Sequence, residues 1–453
     1  MSISVEHQAL HPENTCITID VDAEKKLVRK IDLYLMPSVF ILYLFSYMDR
    51  SNIGLAKIAG MEEDLHLTSD QYYTAVIVWV IGYTISAVPS NMILSRTRPS
   101  VFLPIITFAW GSIAALIGAV RHQSQLIALR FLLGVFEAGF SPAVIFLIST
   151  WYRKNEQSKR FIIFLTAGIL SGAFGGVISG AITSTLDGAH GIRGWRWLFI
   201  VEGLATAGIS LIVHWTLLDY PHSSRGLSPE ERKLAQQRLL KDGIADQGDL
   251  KNQTTSIFVL LFKALLNWRT WVLIPGYMTI SGAGAISYFY PTLVHEMGYT
   301  STAAQYMTAP LYITSLAAAI PICWLADRKP HARAQLLVGD MIVGMVFFAL
   351  IAGIRNNTAR YVFLCFISMT LWTGSALALS FSTTSLASVT RDVRAIMLAW
   401  IPAVAGLAQL YGTALFPAKD SPVYVVGFSV FAATFTVGAV CYGLVDIWFK
   451  RYP

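Results

Sequence analysis

Two long apolar stretches of the chain each carry an acid and a base where a membrane helix normally excludes charge. The first runs from Leu33 through Tyr47 and continues as Met48-Asp49-Arg50-Ser51-Asn52-Ile53-Gly54-Leu55-Ala56. The second runs from Leu126 to Ser149, with Arg130 and Glu137 embedded in it. An ionisable side chain at the centre of a bilayer helix costs at least ~2.5–3.5 kcal/mol on insertion scales, so one that is kept faces a cavity or a partner and usually works there. Two acids and two bases at such depth point to ion and anion handling inside a membrane.

Composition supports that reading. The chain is 55% hydrophobic and 13% charged, whereas an ordinary soluble domain is about 25% charged. About twelve apolar segments have the roughly 17–25 residues that a helix needs to cross ~30 Å of hydrocarbon. Their spans are 34–56, 72–94, 101–120, 126–149, 161–185 and 195–217, then 271–293, 302–325, 335–354, 361–384, 395–416 and 423–446. The expected fold is an all-α polytopic membrane protein with twelve transmembrane helices in two six-helix bundles.

The net charge of +7 is topological. Lys25, Lys26, Arg29 and Lys30 precede the first segment, and basic clusters follow the second, fourth, eighth and tenth. Fewer bases lie in the alternate loops. The positive-inside rule then places both termini in the cytosol, as an even number of spans requires. The bilayer is the expected partner, nucleic acid is not, and a multi-pass plasma-membrane location with a monomeric state is the default. Residues 1–32 hold no apolar run of signal-peptide length, so no cleaved leader is expected. Cys16, Cys323, Cys365 and Cys441 are scattered without metal spacing. No cofactor or metal is implied, and the chain shows no nucleophile elbow or phosphate loop, so an enzyme is not expected.

The apolar rhythm breaks between Asp219 and Trp268. The expected organisation is a tail (1–32), a six-helix bundle (33–217), a linker loop (218–269), a second bundle (270–447) and a short tail (448–453). Within the linker, Ser228 can cap a short amphipathic helix whose first turn holds Glu230 and Glu231. The fifth segment carries Gly168, Gly172, Gly176 and Gly180, one every four residues. They line one helix face, either for tight packing or as a sliding surface between halves.

Depth orders the charged residues. Starting from Leu33, Asp49 lies about 24 Å along the first helix at 1.5 Å per residue. The fourth helix runs the other way, which sets Arg130 level with Asp49 and Arg50 and puts Glu137 near the midplane. A carboxylate in a poorly solvated cavity holds its proton tightly, and a neighbouring guanidinium makes it let go. Arginine keeps its charge, so it must be balanced by a carboxylate of the protein or of a substrate. An anion that binds Arg50 or Arg130 would free an acid to take a proton. The alternative is a static salt-bridge network between two helices. Tyr47 and Tyr83 sit nearby as hydrogen-bond donors. The second half, with no ionisable residue deep in a segment, offers Tyr288, Tyr290, Trp372, the Ser380–Ser385 hydroxyl run and Gln409.

The stretches YMDRSNIGLAKI, GYTISAVPSNMIL, RFLLGVFEAGFSPAVIFLISTWY, GWRWLFIVEG, ISYFYPTLV and WLADRKPHAR carry a resemblance that covers nearly the whole chain from about residue 30. The chain resembles fungal members of the major facilitator superfamily, in particular the allantoate-permease-like branch of the anion:cation symporter family, which includes nicotinate and other carboxylate transporters. The resemblance implies proton-coupled uptake of a small organic anion. It implies Asp49 and Glu137 as proton-linked acids, Arg50 and Arg130 as paired arginines, and Tyr83 as a substrate-side tyrosine. Asp327 and Arg328 match the gating motif after the eighth span. The corresponding first-half loop, SRTRPS at 95–100, lacks the aspartate. Competing expectations are proton-driven efflux of a metabolite or drug on the same scaffold, and a nutrient receptor that binds without transporting.

Overall fold

The computed structural model describes residues 20–94, 97–224, 226–241, 257–386 and 389–451. Among them the regular structure is all helical, with no strand. The amino half comprises α1 (Val21–Ala56), α2 (Ser69–Leu94), α3 (Pro99–Ile117), α4 (Gln123–Glu137), α5 (Phe140–Trp151), α6 (Lys154–Thr185) and α7 (Gly194–Thr216). The linker contributes α8 (Pro229–Lys241) and α9 (Ile257–Leu266). The carboxyl half comprises α10 (Trp268–Gly284), α11 (Tyr290–Glu296), α12 (Ser301–Tyr306), α13 (Ala309–Arg328), α14 (Arg333–Gly353), α15 (Asn357–Ser385), α16 (Arg391–Gly406), α17 (Gln409–Ala414) and α18 (Val425–Arg451).

Eleven helical spans among the described residues are long and apolar enough to cross a membrane. The remaining expected span is α2, which has 26 residues and includes residues 88, 91 and 92, whose side chains lie outside the described residues. Four segments expected as single helices are each built from two pieces. The fourth divides between α4 and α5 at Ala138-Gly139, the seventh between α10 and α11, the eighth between α12 and α13, and the eleventh between α16 and α17. Such interruptions are tolerated at membrane depth where protein surrounds them. The first helix starts at Val21, inside the stretch expected as tail.

Within each half the main helix pairs are α3 on α7, α2 on α4 and α1 on α6 in the first, α14 on α18 and α13 on α15 in the second. Because successive spans alternate in direction, α2–α4, α1–α6 and α13–α15 run parallel and the other two pairs antiparallel. Glycine permits the closest approaches, since a Cβ at Gly134 would overlap the Trp79 carbonyl and one at Gly203 would overlap the backbone at Ala115. The halves meet through α6 against α12 and α13, through α1 against α11, and through α2 against α16 and α17.

The glycine ladder lies on that seam. A methyl at Gly172 would strike the Tyr312 ring, at Gly176 the Thr308 hydroxyl, and at Gly180 the Tyr306 ring. Only Gly168 packs within its own half, against Tyr43 and Tyr47. These inter-half contacts fall in the part of α6 remote from the termini. There Thr183 Oγ1 donates to Gln305 Oε1 (2.8 Å), and Gln305 Nε2 donates to the Leu55 carbonyl (3.4 Å).

The opposite, terminal face is organised by ion pairs within the amino half and the linker. Ser228 and Glu231 form a reciprocal capping box at the start of α8. Glu231 also accepts from Lys30 (2.8 Å), Arg238 pairs with Glu24 and Glu156, and Arg153 pairs with Glu24 (2.7 Å). The linker helix is thereby fastened to the amino half.

Candidate transport site

The deep charges sort into three arrangements with different chemistry. The first is a closed ion pair. Arg50 Nη2 lies 2.8 Å from Glu137 Oε1, with side chains only 14% and 1% exposed. Glu137 also accepts from Ser46 Oγ (2.7 Å) and Trp79 Nε1 (3.0 Å). The Arg50 guanidinium sits over Tyr47, Trp79 and Tyr83, with ring centroids 4.7, 4.3 and 5.3 Å away. A guanidinium is weakly hydrated and planar, so it suits an aromatic enclosure. Removing one partner of such a buried pair costs about 3–5 kcal/mol, because the other charge is stranded.

The second arrangement is an open cation. Arg130 is fully buried, and its Nε donates a long bond to the Ala75 carbonyl (3.4 Å). Neither terminal amino group has a hydrogen-bond partner. It is within electrostatic reach of Tyr288, Tyr72, Glu137 and Arg50. A buried guanidinium with both fork nitrogens unsatisfied calls for an anionic acceptor.

The third is a carboxylate cluster with no cation bonded to it. Asp49 Oδ2 accepts from Trp110 Nε1 (3.2 Å) and Thr206 Oγ1 (2.9 Å), while Glu202 Oε2 accepts from Asn52 Nδ2 (2.6 Å). Asp49, Asn52 and Glu202 are each at most 2% exposed.

The carboxyl half faces these groups with aromatic rings and amides. Tyr47 and Trp372 approach across the seam with ring centroids 5.6 Å apart, and Trp372 meets Tyr312 at 6.3 Å. Tyr288 Oη donates to Gln409 Oε1 (3.3 Å). The Tyr288 carbonyl lies so close to Gly54 that no side chain fits there. Tyr290 is buried against Tyr312.

Geometry changes several sequence-based expectations. Depth counting sets Arg130 level with Asp49 and Arg50, with Glu137 deeper; in the structure the Arg50 side chain reaches Glu137, and Arg130 has no bonded acid. The hydrogen-bond partners of Asp49 are an indole and a hydroxyl, not an arginine. The Ser380–Ser385 hydroxyls serve their own helix: Ser382, Thr383 and Ser385 bond the carbonyls four residues back. The carboxyl half does hold a deep acid, because Asp340 on α14 has a buried oxygen without a partner beside Gly374. Arg328 stacks on Trp324, 3.7 Å from the ring centroid. Asp327 belongs to α13, and its side chain lies outside the described residues, as do Ser95 and Arg96 of the first-half loop. Glu202, Trp79, Trp110, Thr206 and Asn52 were not singled out from the sequence, although Glu202 is visible there as an acid inside the sixth apolar run.

Two helical bundles around buried, partly unsatisfied charges define a polytopic membrane transporter. The chain belongs to the Major Facilitator Superfamily, whose family model matches residues 39–413. It is 36% identical over 334 residues to the MFS transporter prlL of a fungal species (strain NRRL 50135), covering 71% of this chain and 66% of that one. It is 28% identical over 437 residues to the high-affinity nicotinic acid transporter of Saccharomyces cerevisiae, covering 94% of this chain and 78% of that one. In fold it is similar to a bacterial homologue of the human lysosomal transporter Spinster (TM-score 0.68, 14% identity, 95% of this chain and 98% of that one). It is likewise similar to the xylose transporter XylE of Escherichia coli (TM-score 0.64, 16% identity, 92% and 97%).

Proposed function

We propose that this transporter takes up a small organic anion, a monocarboxylate of the nicotinate type, together with protons, and belongs to the anion:cation symporter branch of its superfamily. The observation that carries the reading is Arg130, a fully buried guanidinium with both terminal nitrogens unsatisfied. A carboxylate matches that fork in charge and in its paired oxygens. Arg50 supplies a second cation once an anion draws it from Glu137, and one proton taken up among the acids, Glu137 and Asp49 included, restores neutrality. Asp49 is the other proton-linked acid. Tyr47, Tyr83, Tyr288 and Gln409 supply hydrogen bonds and ring faces around the bound anion, and Asp327 with Arg328 gates the terminal face. That face is cytosolic in this reading, in the plasma membrane, and the unit is a monomer. The relative named as a nicotinic acid transporter supports the substrate class.

The test is competitive uptake with a panel of organic acids at acidic and neutral external pH. Uptake should rise as external pH falls and collapse with a protonophore. Uptake indifferent to both would remove the coupling, and a panel in which no acid competes would remove the substrate class. Net outward flux under the same gradient would replace import by efflux.

A further inference from the structure

The carboxylate cluster between α1, α3 and α7 is a separate device from the arginine site. Its unsatisfied atoms are all acceptors: Asp49 Oδ1, Asn52 Oδ1 and Glu202 Oε1 have no hydrogen-bond partner, at exposures of 1%, 0% and 2%. A buried acceptor left without a donor is costly, and three in one cluster point to a missing positive charge or proton. Thr206 gives the same indication. Its hydroxyl lies 2.9 Å from both Asp49 Oδ2 and the Glu202 carbonyl, yet a hydroxyl has one proton to donate. A protonated Asp49 donating into Thr206 Oγ1 resolves this, since the hydroxyl proton then serves the carbonyl.

Charge counting agrees. The acids in the core of the amino half are Asp49, Glu137 and Glu202, and the bases are Arg50 and Arg130. Glu137 is satisfied by Arg50, Ser46 and Trp79, so the excess negative charge falls on Asp49 and Glu202. The charged groups that face Asp49 from the neighbouring elements are Glu137 and Arg130 on α4 and Glu202 on α7. One proton on the pair makes the empty core neutral. An anion arriving at Arg130 makes it negative again, by one unit for a monocarboxylate.

We infer that Asp49 and Glu202, braced by Asn52, Thr206 and Trp110, form a proton-storing carboxylate pair that holds one proton in the empty transporter and admits a second when an anion occupies the arginines. The first part stands on the unsatisfied acceptors, the Thr206 hydroxyl and the charge count; the second rests on the organic-anion reading above. Protons enter from and return to water as hydronium, and no bond other than O–H forms or breaks. Three free acceptors suffice for a proton on one of the carboxylates and are fewer than the six to eight oxygens that Ca²⁺ takes. Among the described residues no group of three or more metal-ligating side chains exists. For a monocarboxylate the expected stoichiometry is one proton per anion, which moves no net charge.

The deciding measurement is infrared difference spectroscopy of the purified full-length protein without substrate, titrated in pH. Wild type should show the C=O stretch of a protonated buried carboxyl at neutral pH. Asp49→Asn and Glu202→Gln, each isosteric, should lose or shift it, because the remaining acid is then balanced by the arginines. Asp340→Asn should remove only the separate band of that carboxyl. No protonated-carboxyl band in wild type, a band untouched by both pair substitutions, or a band abolished by exchanging choline for Na⁺ at constant pH would overturn the proton-storing pair. The measurement contains no anion, so a failed acid panel leaves its result intact, and a failed band leaves the panel's result intact.

Discussion

The two halves of the transporter share an architecture but not a chemistry. The amino half encloses Asp49, Arg50, Arg130, Glu137 and Glu202 within its helices, whereas the carboxyl half meets them with Tyr288, Trp372, Tyr312 and Gln409 and keeps a deep aspartate, Asp340, apart. The difference separates two tasks. Charges that must be balanced at every stage belong together, since moving them apart in a low dielectric costs several kcal/mol. Groups that distinguish one acid from another need shape and single hydrogen bonds, which rings and amides provide.

The largest effect should come from Arg50→Gln, which strands Glu137. Loss of about 3–5 kcal/mol should show as a lowered melting temperature and reduced recovery of folded protein. Arg130→Gln should break uptake while leaving the melting temperature near wild type, because no acid is bonded to Arg130. If both arginines destabilise equally, the division into closed pair and open cation fails. Next comes coupling: with Asp49→Asn and Glu202→Gln together, accumulation driven by about one pH unit, about tenfold for one proton per anion, should fall to equilibration while exchange persists. Undiminished accumulation would return the pair to a packing role. On the carboxyl side, Gln409→Leu should weaken apparent affinity by about 1 kcal/mol and reorder the competing acids, leaving the pH dependence alone. Smallest is Lys30→Met, which removes a half-exposed pair with Glu231 worth about 0–1 kcal/mol; uptake rate should hardly change.

Much of this was legible in the sequence for a simple reason. A charge inside an apolar run is conspicuous, so Asp49, Arg50, Arg130 and Glu137 announce themselves, and the two-bundle fold follows from segment length and the polar break after Asp219. Glu202 carries the same signal but stands near Arg193 and Arg196, where an acid looks interfacial. Asp340 sits near the start of its segment and looks interfacial as well. Trp79 and Trp110 read as packing, because nothing in a sequence says which indole N–H will meet a carboxylate. The helix interruptions left partial traces: Pro291 and Pro310 stand in the first turns of α11 and α13, where proline starts helices well. Which acid meets which arginine depends on helix rotation and depth to within one turn, and helix ends guessed from hydropathy do not resolve that.

The seam along α6 has a consequence for how the surrounding medium acts on the protein. The bridges described there, from the glycine ladder to the Gln305 amide, carry no formal charge, whereas the terminal face is held by Lys30, Glu24, Arg153, Glu156 and Arg238. Dissolved salt weakens exposed ion pairs and leaves neutral contacts untouched. Ionic strength therefore loosens the linker helix, and the Asp64 pairs with Arg193 and Arg196 outside the seam, while the neutral closure along α6 keeps its strength.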